Sequence, residues 1–406
     1  MAQVYLGDDS GGDAGDPEGP GGDTRPGASE VAMDITLSEQ ERMLQEQARS
    51  FLAKEAPLEL ARAMEHDARG YPPALWKKMA ELGWLGIPLP EAHGGAGLGL
   101  LELTIIIEEM GKALAPTPLI PTVALGAMAV AEGGSEEQQR RILPRVAGGE
   151  LVLSVAYMEH GRPDLGWVRD VVATAAHKTK DGYTVTGQKQ FAQYAHVADM
   201  LLVLAQEAAS GKPLWLLVDR NAPGVTVRHL STTAADHQCH VELKNVAVPS
   251  QDALPGDAWT LLERMLQRGA IATCAAMTGG AQRMLEITTE YAKTRVQFGR
   301  PIGTFQAVSH RCADMAVETE GARYITYEAA WAYSQGRDAA LDVSTAKAYV
   351  SDAVREVMLN GHQAHGAIGF SEEHPVPLYS RRAKMGEALF GSASLHRERV
   401  ARLLGM

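Results

Sequence analysis

The hydrophobic period changes twice along this chain, and those two changes restrict the folds open to it. Up to about residue 150 apolar residues recur at helical intervals, as in Met43, Leu44, Ala48, Phe51 and Leu52. Between 151 and 249 short β-branched or alternating runs replace them, at 170–176, 182–186, 200–205, 214–218, 225–230 and 240–243. Asp181-Gly182 and Ala222-Pro223-Gly224 separate some of these as turns. From Trp259 onward the period is helical again. No repeat of 20 to 50 residues is present. The order helices, strands, helices gives an α+β chain. Its parts are a helical domain at 33–150, a middle β-barrel or sandwich domain at 151–255 and a four-helix bundle at 256–406.

Within the first part, Ser38-Glu39-Gln40-Glu41 has the spacing of a capping box that opens a helix. Further helices are expected at 73–82, from 100 to 111, at 124–132 and at 136–146, with Gly and Pro clusters at 83–88 and 93–97 between them. In the last part, 262–294 reads as one long helix or as two broken near Gly279-Gly280. Helices at 305–334, 343–363 and 384–404 follow. Residues 1–32, rich in Gly, Asp, Pro and Ser, bury too little apolar surface to offset their ordering entropy and are expected to be a disordered leader.

The net charge of −12 argues against binding a nucleic-acid backbone, which needs a basic face. Cys239, Cys274 and Cys312 are far apart and form no Cys-x-x-Cys, which points to neither a disulfide framework nor a thiolate metal site, and to a reducing cytoplasm. No apolar run approaches the roughly 20 residues of a spanning helix, so no membrane association is expected.

Two stretches carry chemistry. Residues 291–315, YAKTRVQFGRPIGTFQAVSHRCADM, join two helical runs through a Gly/Pro break. Arg295 is a planar, permanently charged fork suited to a pyrophosphate, with Gln297, Phe298 and Gln306 beside it. Read alone, the same residues also describe a helix end with a solvated Arg. About 70 residues on, Gln363-Ala364-His365-Gly366-Ala367-Ile368-Gly369-Phe370 ends a helix in small residues that let backbone approach a ligand closely.

Together with the α, β, α order from Met33 to Met406, these two stretches resemble the acyl-CoA dehydrogenase family. The resemblance implies FAD as cofactor, an acyl-CoA thioester as substrate, tetrameric assembly and an electron-transfer flavoprotein as a further partner. It also implies that Arg295, Gln297, Phe298, Gln306, Gln363, Gly366, Ala367 and Gly369 reach a nucleotide held mainly by a neighbouring subunit, with Ala367 standing where the family has a second Gly. Ser392 takes the place of a Thr that touches the adenosine end.

The other half of the implied site departs further from the family. The family's Thr-Glu-Pro grip on the flavin ring reads Met158-Glu159-His160 here, with Asp164 in place of a small Ser. The second grip reads Phe191-Ala192-Gln193, where Phe191 is suited to stacking and Gln193 to donating a hydrogen bond. The family's catalytic carboxylate stands at one of two positions, and these are Gly269 and Phe390 in this chain. Neither accepts a proton. Glu387, Glu372, Glu373 and Glu263 are the carboxylates considered as substitutes, and Arg268 is considered for CoA phosphates or a partner chain. An intact nucleotide arm beside a decayed pocket resembles the base-lacking subunits of heterotetrameric acyl-CoA dehydrogenases that degrade steroid side chains. The alternatives are an active homotetramer with a base such as Glu387, and a non-catalytic acyl-CoA- or protein-binding member.

Overall fold

The computed structural model describes residues 36–159, 167 and 172–406. The expected leader, and the segment from His160 to Asp164, lie outside them.

Among the described residues six α-helices come first: α1 (Glu39–Glu55), α2 (Leu58–His66), α3 (Pro73–Glu81), α4 (Leu100–Ala113), α5 (Met128–Gly133) and α6 (Glu136–Ala147). The capping box at Ser38 is formed, with Ser38 Oγ accepting from Glu41 N and Glu41 accepting from Ser38 N. α2 was not expected from the sequence. It is nine residues with a single buried position, Ala61, too few to mark a periodic apolar face. A π-wound turn, Ile120–Ala127, leads into α5, so this helical stretch starts four residues earlier than its period suggested.

The middle of the chain forms β1 (Leu153–Ala156), β2 (Ala175–Lys178), β3 (Gly182–Gln193), β4 (Met200–Glu207), β5 (Pro213–Asp219), β6 (Val225–His229) and β7 (Gln238–Pro249). They make one sheet in the order β1-β4-β2-β3-β7-β6, with β5 also paired to β4. β1 was missed because all four of its residues are buried, so it carries no alternation. The register of β3 against β7 slips between Lys189 and Ala192, and Phe191 lies in that bulge with φ 56°. Bulges re-aim side chains, and this one turns the Phe191 ring out of the sheet's alternation.

The last part is α7 (Ala258–Thr294), a two-residue-per-strand hairpin β8 (Val296–Gln297) and β9 (Arg300–Pro301), then α8 (Gln306–Ser334), α9 (Ala340–His365), α10 (Val376–Ala388) and α11 (Ala393–Leu403). α7 runs unbroken through Gly279-Gly280. Gly279 and, on α4, Gly111 serve close packing: a Cβ on Gly279 would lie 1.9 Å from the Glu108 carbonyl oxygen of α4, and one on Gly111 2.1 Å from that of Ala276. Two buried carboxylates on α4 are paired, Glu108 with Arg323 of α8 at 2.9 Å and Glu109 with Arg49 of α1 at 2.7 Å. The helix expected at 384–404 is instead two helices. The chain breaks at Leu389–Ser392, where Phe390 and Gly391 take φ of 53° and 97°.

Candidate functional site

The nucleotide-type residues gather at one end of the bundle. Arg295 caps α7, its N–H donating to the Tyr291 carbonyl at 2.8 Å and its own carbonyl accepting from Ile302 at 2.8 Å. That closure fixes the hairpin, whose turn uses Phe298 (φ 53°) and Gly299 (φ 78°). The side chains of Arg295, Gln297 and Gln306 are exposed, and Phe298 is 92% exposed, a large apolar group facing outward. The second stretch lies against the first: the rings of Tyr291 and His365 stack with centroids 4.6 Å apart, and Arg311 donates to Asn360 at 2.7 Å. Gln363, Gly366 and Ala367 are exposed there, and Gly366 reverses the chain at φ 63°. Gly369 is buried, so it serves packing rather than an open surface.

Ser392 does not join them. It caps α11, its Oγ accepting from Leu395 N at 3.4 Å. The adjacent Gly391 carbonyl is held by Lys347, near the start of α9, whereas His365 ends that helix. At 1.5 Å per residue the two lie ~27 Å apart along α9.

Met158, Phe191 and Gln193 line a cavity of about 340 Å³ between the sheet and α10, closed at one side by Leu389 and Phe390. Gln193 Oε1 is buried there with no hydrogen-bond partner among the described residues. Below the cavity Lys189 is fully buried and pairs with Glu159, and burial pushes its ammonium down to about 8.

The two positions where the family carries its base meet at Phe390, which lies on the wall of this cavity. A Cβ built on Gly269 would fall 2.3 Å from Cε1 of Phe390. The Phe390 ring fills the space that Gly269 leaves, and Phe390 is 4% exposed. Its left-handed backbone is held from several sides. Trp167 Nε1 and His396 Nε2 both donate to its carbonyl, at 2.9 and 2.8 Å. Lys347 Nζ, fully buried, donates to the carbonyls of Gly386 at 2.9 Å, Glu387 at 3.2 Å and Gly391 at 2.9 Å. Such strain persists only where its surroundings over-determine it.

None of the substitute carboxylates reaches the cavity. Glu387 turns to Lys384 at 3.0 Å and Arg355 at 3.8 Å and is not part of the lining. Glu263 pairs with Arg399 at 3.3 Å, beside Trp167 and Trp259. Glu372 and Glu373 are exposed, and Arg62 donates to their backbone carbonyls. The expectation for Arg268 is corrected. It is fully buried, donating to the Ala124 carbonyl at 2.7 Å, Glu132 at 2.6 Å and the Tyr333 hydroxyl at 2.8 Å, so it is committed inside this chain.

Sequence reasoning missed Asp236. It is buried and lines the cavity, its carboxylate accepting from Thr232 Oγ1 at 2.6 Å and from Gln238. It sits in a loop with no period and no motif, so only tertiary structure brings it to the site.

Comparison with known proteins agrees with this layout. Family models for the N-terminal, middle and C-terminal domains of acyl-CoA dehydrogenases match residues 38–150, 164–246 and 256–405. The probable acyl-CoA dehydrogenase YngJ of Bacillus subtilis is 31% identical over 92% of this chain and 100% of its own length. Acyl-CoA dehydrogenase FadE27 of Mycobacterium tuberculosis is 34% identical over 81% of this chain and 87% of its own. Among solved structures, a variant of the Tcur3481-Tcur3483 steroid ACAD superposes with a TM-score of 0.82 at 34% identity, covering 91% of this chain and 99% of that one. The ChsE4-ChsE5 complex from Mycobacterium tuberculosis gives 0.84 at 32%, covering 92% and 99%.

Proposed function

We propose that this chain, which belongs to the acyl-CoA dehydrogenase family, is the base-lacking subunit of a heteromeric, FAD-dependent member acting in lipid or steroid side-chain breakdown. The observation that carries the reading is the contact of Gly269 with Phe390. Both places for a catalytic carboxylate hold groups that accept no proton, and one side chain fills the other's space.

Bound FAD supplies a hydride acceptor for the β-carbon of an acyl-CoA thioester. The exposed Arg295, Gln297 and Gln306 and the 363–367 turn fit its nucleotide portion as donors on an open surface. They do not fit a flavin held by this chain's own cavity: Gly269 and Tyr291 are ~33 Å apart along α7 at 1.5 Å per residue. The arm is therefore read as reaching the nucleotide of a partner, and the partner's carboxylate as removing the α-proton. Electrons then pass to an electron-transfer flavoprotein. No helix among the described residues is long and apolar enough to cross a membrane, and the three free cysteines suit a reducing cytoplasm.

An active homotetramer using Glu387 is the weaker reading, because Glu387 faces Lys384 and Arg355 rather than the cavity. Co-expression with a family member that carries a Glu at a base position tests the proposal. Acyl-CoA turnover should require both chains and vanish when that Glu becomes Gln. Full turnover by this chain alone overturns it.

A further inference from the structure

A second slot, about 150 Å³, adjoins the first cavity between α4, α7 and α10. Most of its wall is apolar, including Ile107, Met110, Met277 and Leu389. Among the described residues three polar groups on that wall are unpaired. Thr117 Oγ1 and Gln193 Oε1 are buried with no hydrogen-bond partner among the described residues. Arg382 is half-buried, and its guanidinium has neither an ion pair nor a hydrogen bond there. The contrast with its neighbour is sharp: Arg381 donates to both oxygens of Glu65, at 2.9 and 2.8 Å. The one carboxylate on the slot wall, Asp236, is already engaged by Thr232 and Gln238. The other ionisable groups on the wall are Tyr194, His237 and Tyr379.

Buried polar atoms in folded proteins are almost always paired, so unpaired ones on a cavity wall call for a water or a ligand. A cation without a carboxylate, set in an apolar slot, is matched by an anion with a hydrocarbon body. We propose that this slot binds a compact apolar carboxylate. Its hydrocarbon packs on Met110, Met277 and Leu389 and its carboxylate pairs with Arg382 and accepts from the Thr117 hydroxyl. The site needs neither flavin nor CoA, so it stands or falls apart from the heteromer.

The test is calorimetric titration of the purified full-length chain with hexanoate and with 1-hexanol, which share a hydrocarbon body. Hexanoate should bind at least tenfold more tightly. Arg382→Leu should bring hexanoate to the level of hexanol and leave hexanol unchanged, and Arg382→Lys should fall between. Phenylglyoxal labelling of Arg382, read by peptide mass spectrometry, should slow when hexanoate is present. Equal affinity for the two probes, hexanoate binding unaffected by Arg382→Leu, or labelling at the same rate with and without hexanoate overturns the proposal.

Discussion

Gly269 and Phe390 are two halves of one packing arrangement: any side chain on the first would run into the ring of the second, with a Cβ only 2.3 Å from its Cε1. Phe390 has little freedom to yield, because Trp167, His396 and Lys347 fix the backbone around it. Gly269→Ala should therefore destabilise the chain by about 1–3 kcal/mol through overpacking. Phe390→Leu should recover part of that loss, giving a non-zero coupling in a double-mutant cycle. Thermal or urea unfolding of the four proteins measures it, and strict additivity would refute the contact.

Glu387→Gln should leave turnover of the assembled enzyme within about twofold. Its carboxylate is tied to Lys384 and Arg355 and is not part of the cavity wall. A drop of roughly 10²–10⁴-fold, the usual cost of losing a positioned base, would identify it as the base after all. Steady-state kinetics on an acyl-CoA panel decides.

Arg295→Ala separates binding from folding. The side chain is exposed, so chain stability should change by no more than about 0.5 kcal/mol. Loss of a charge-assisted hydrogen bond of about 1.5–3 kcal/mol should weaken FAD retention by the complex roughly 10- to 150-fold. Flavin release on dilution and the melting temperature of the chain give the two readouts.

A histidine cluster joins the sheet to the first helices. His237 Nε2 donates to the Met64 carbonyl at 3.0 Å and His196 Nε2 to that of Arg69 at 3.2 Å. Their remaining ring nitrogens face His229 at 3.2 Å and Cys239 at 3.5 Å. Each is thereby set as a neutral tautomer with no place for a second proton. Burial, with His237 alongside, pushes His196 down to about 4, and burial likewise lowers His237. In the unfolded chain both titrate near 6.5, so between these values the unfolded state holds more protons. The stability these histidines contribute is full above pH about 6.5 and is lost as pH falls toward about 4. Carboxylates add the same slope only below about 4.5, while burial also lowers His362, His365, His374 and His396, so urea midpoints between pH 4.5 and 6.5 report all six histidines and a substitution is needed to separate the cluster. His196→Asn should reduce the slope in that window without abolishing it, and an unchanged slope would refute the assignment.

What could be read in the sequence was local. The change of period revealed the α, β, α order, and the Gly/Pro break after Arg295 and the 363–369 turn were visible because each motif is a continuous stretch, though the break gave no sign of the β8–β9 hairpin. The rest depends on contacts between distant segments. The break at Leu389–Ser392 is held by Trp167, Lys347 and His396 and has no local signal beyond Gly391. Arg268, beside Gly269, was a candidate for CoA phosphates or a partner chain, and only the fold brings Glu132 and Tyr333 to it. Asp236 and the pairing of Arg381 but not Arg382 were equally hidden, since each depends on what packs across a cavity.

The most direct measurement counts flavin. The chain purified alone, and the same chain co-expressed with a Glu-bearing family member, should be compared by flavin absorbance against protein concentration. The chain alone should hold well under one FAD per chain and show no acyl-CoA turnover, while the complex should hold one FAD per pair of unlike chains and turn over. One tightly held FAD per chain together with full activity from this chain alone would contradict the division of the site between two subunits.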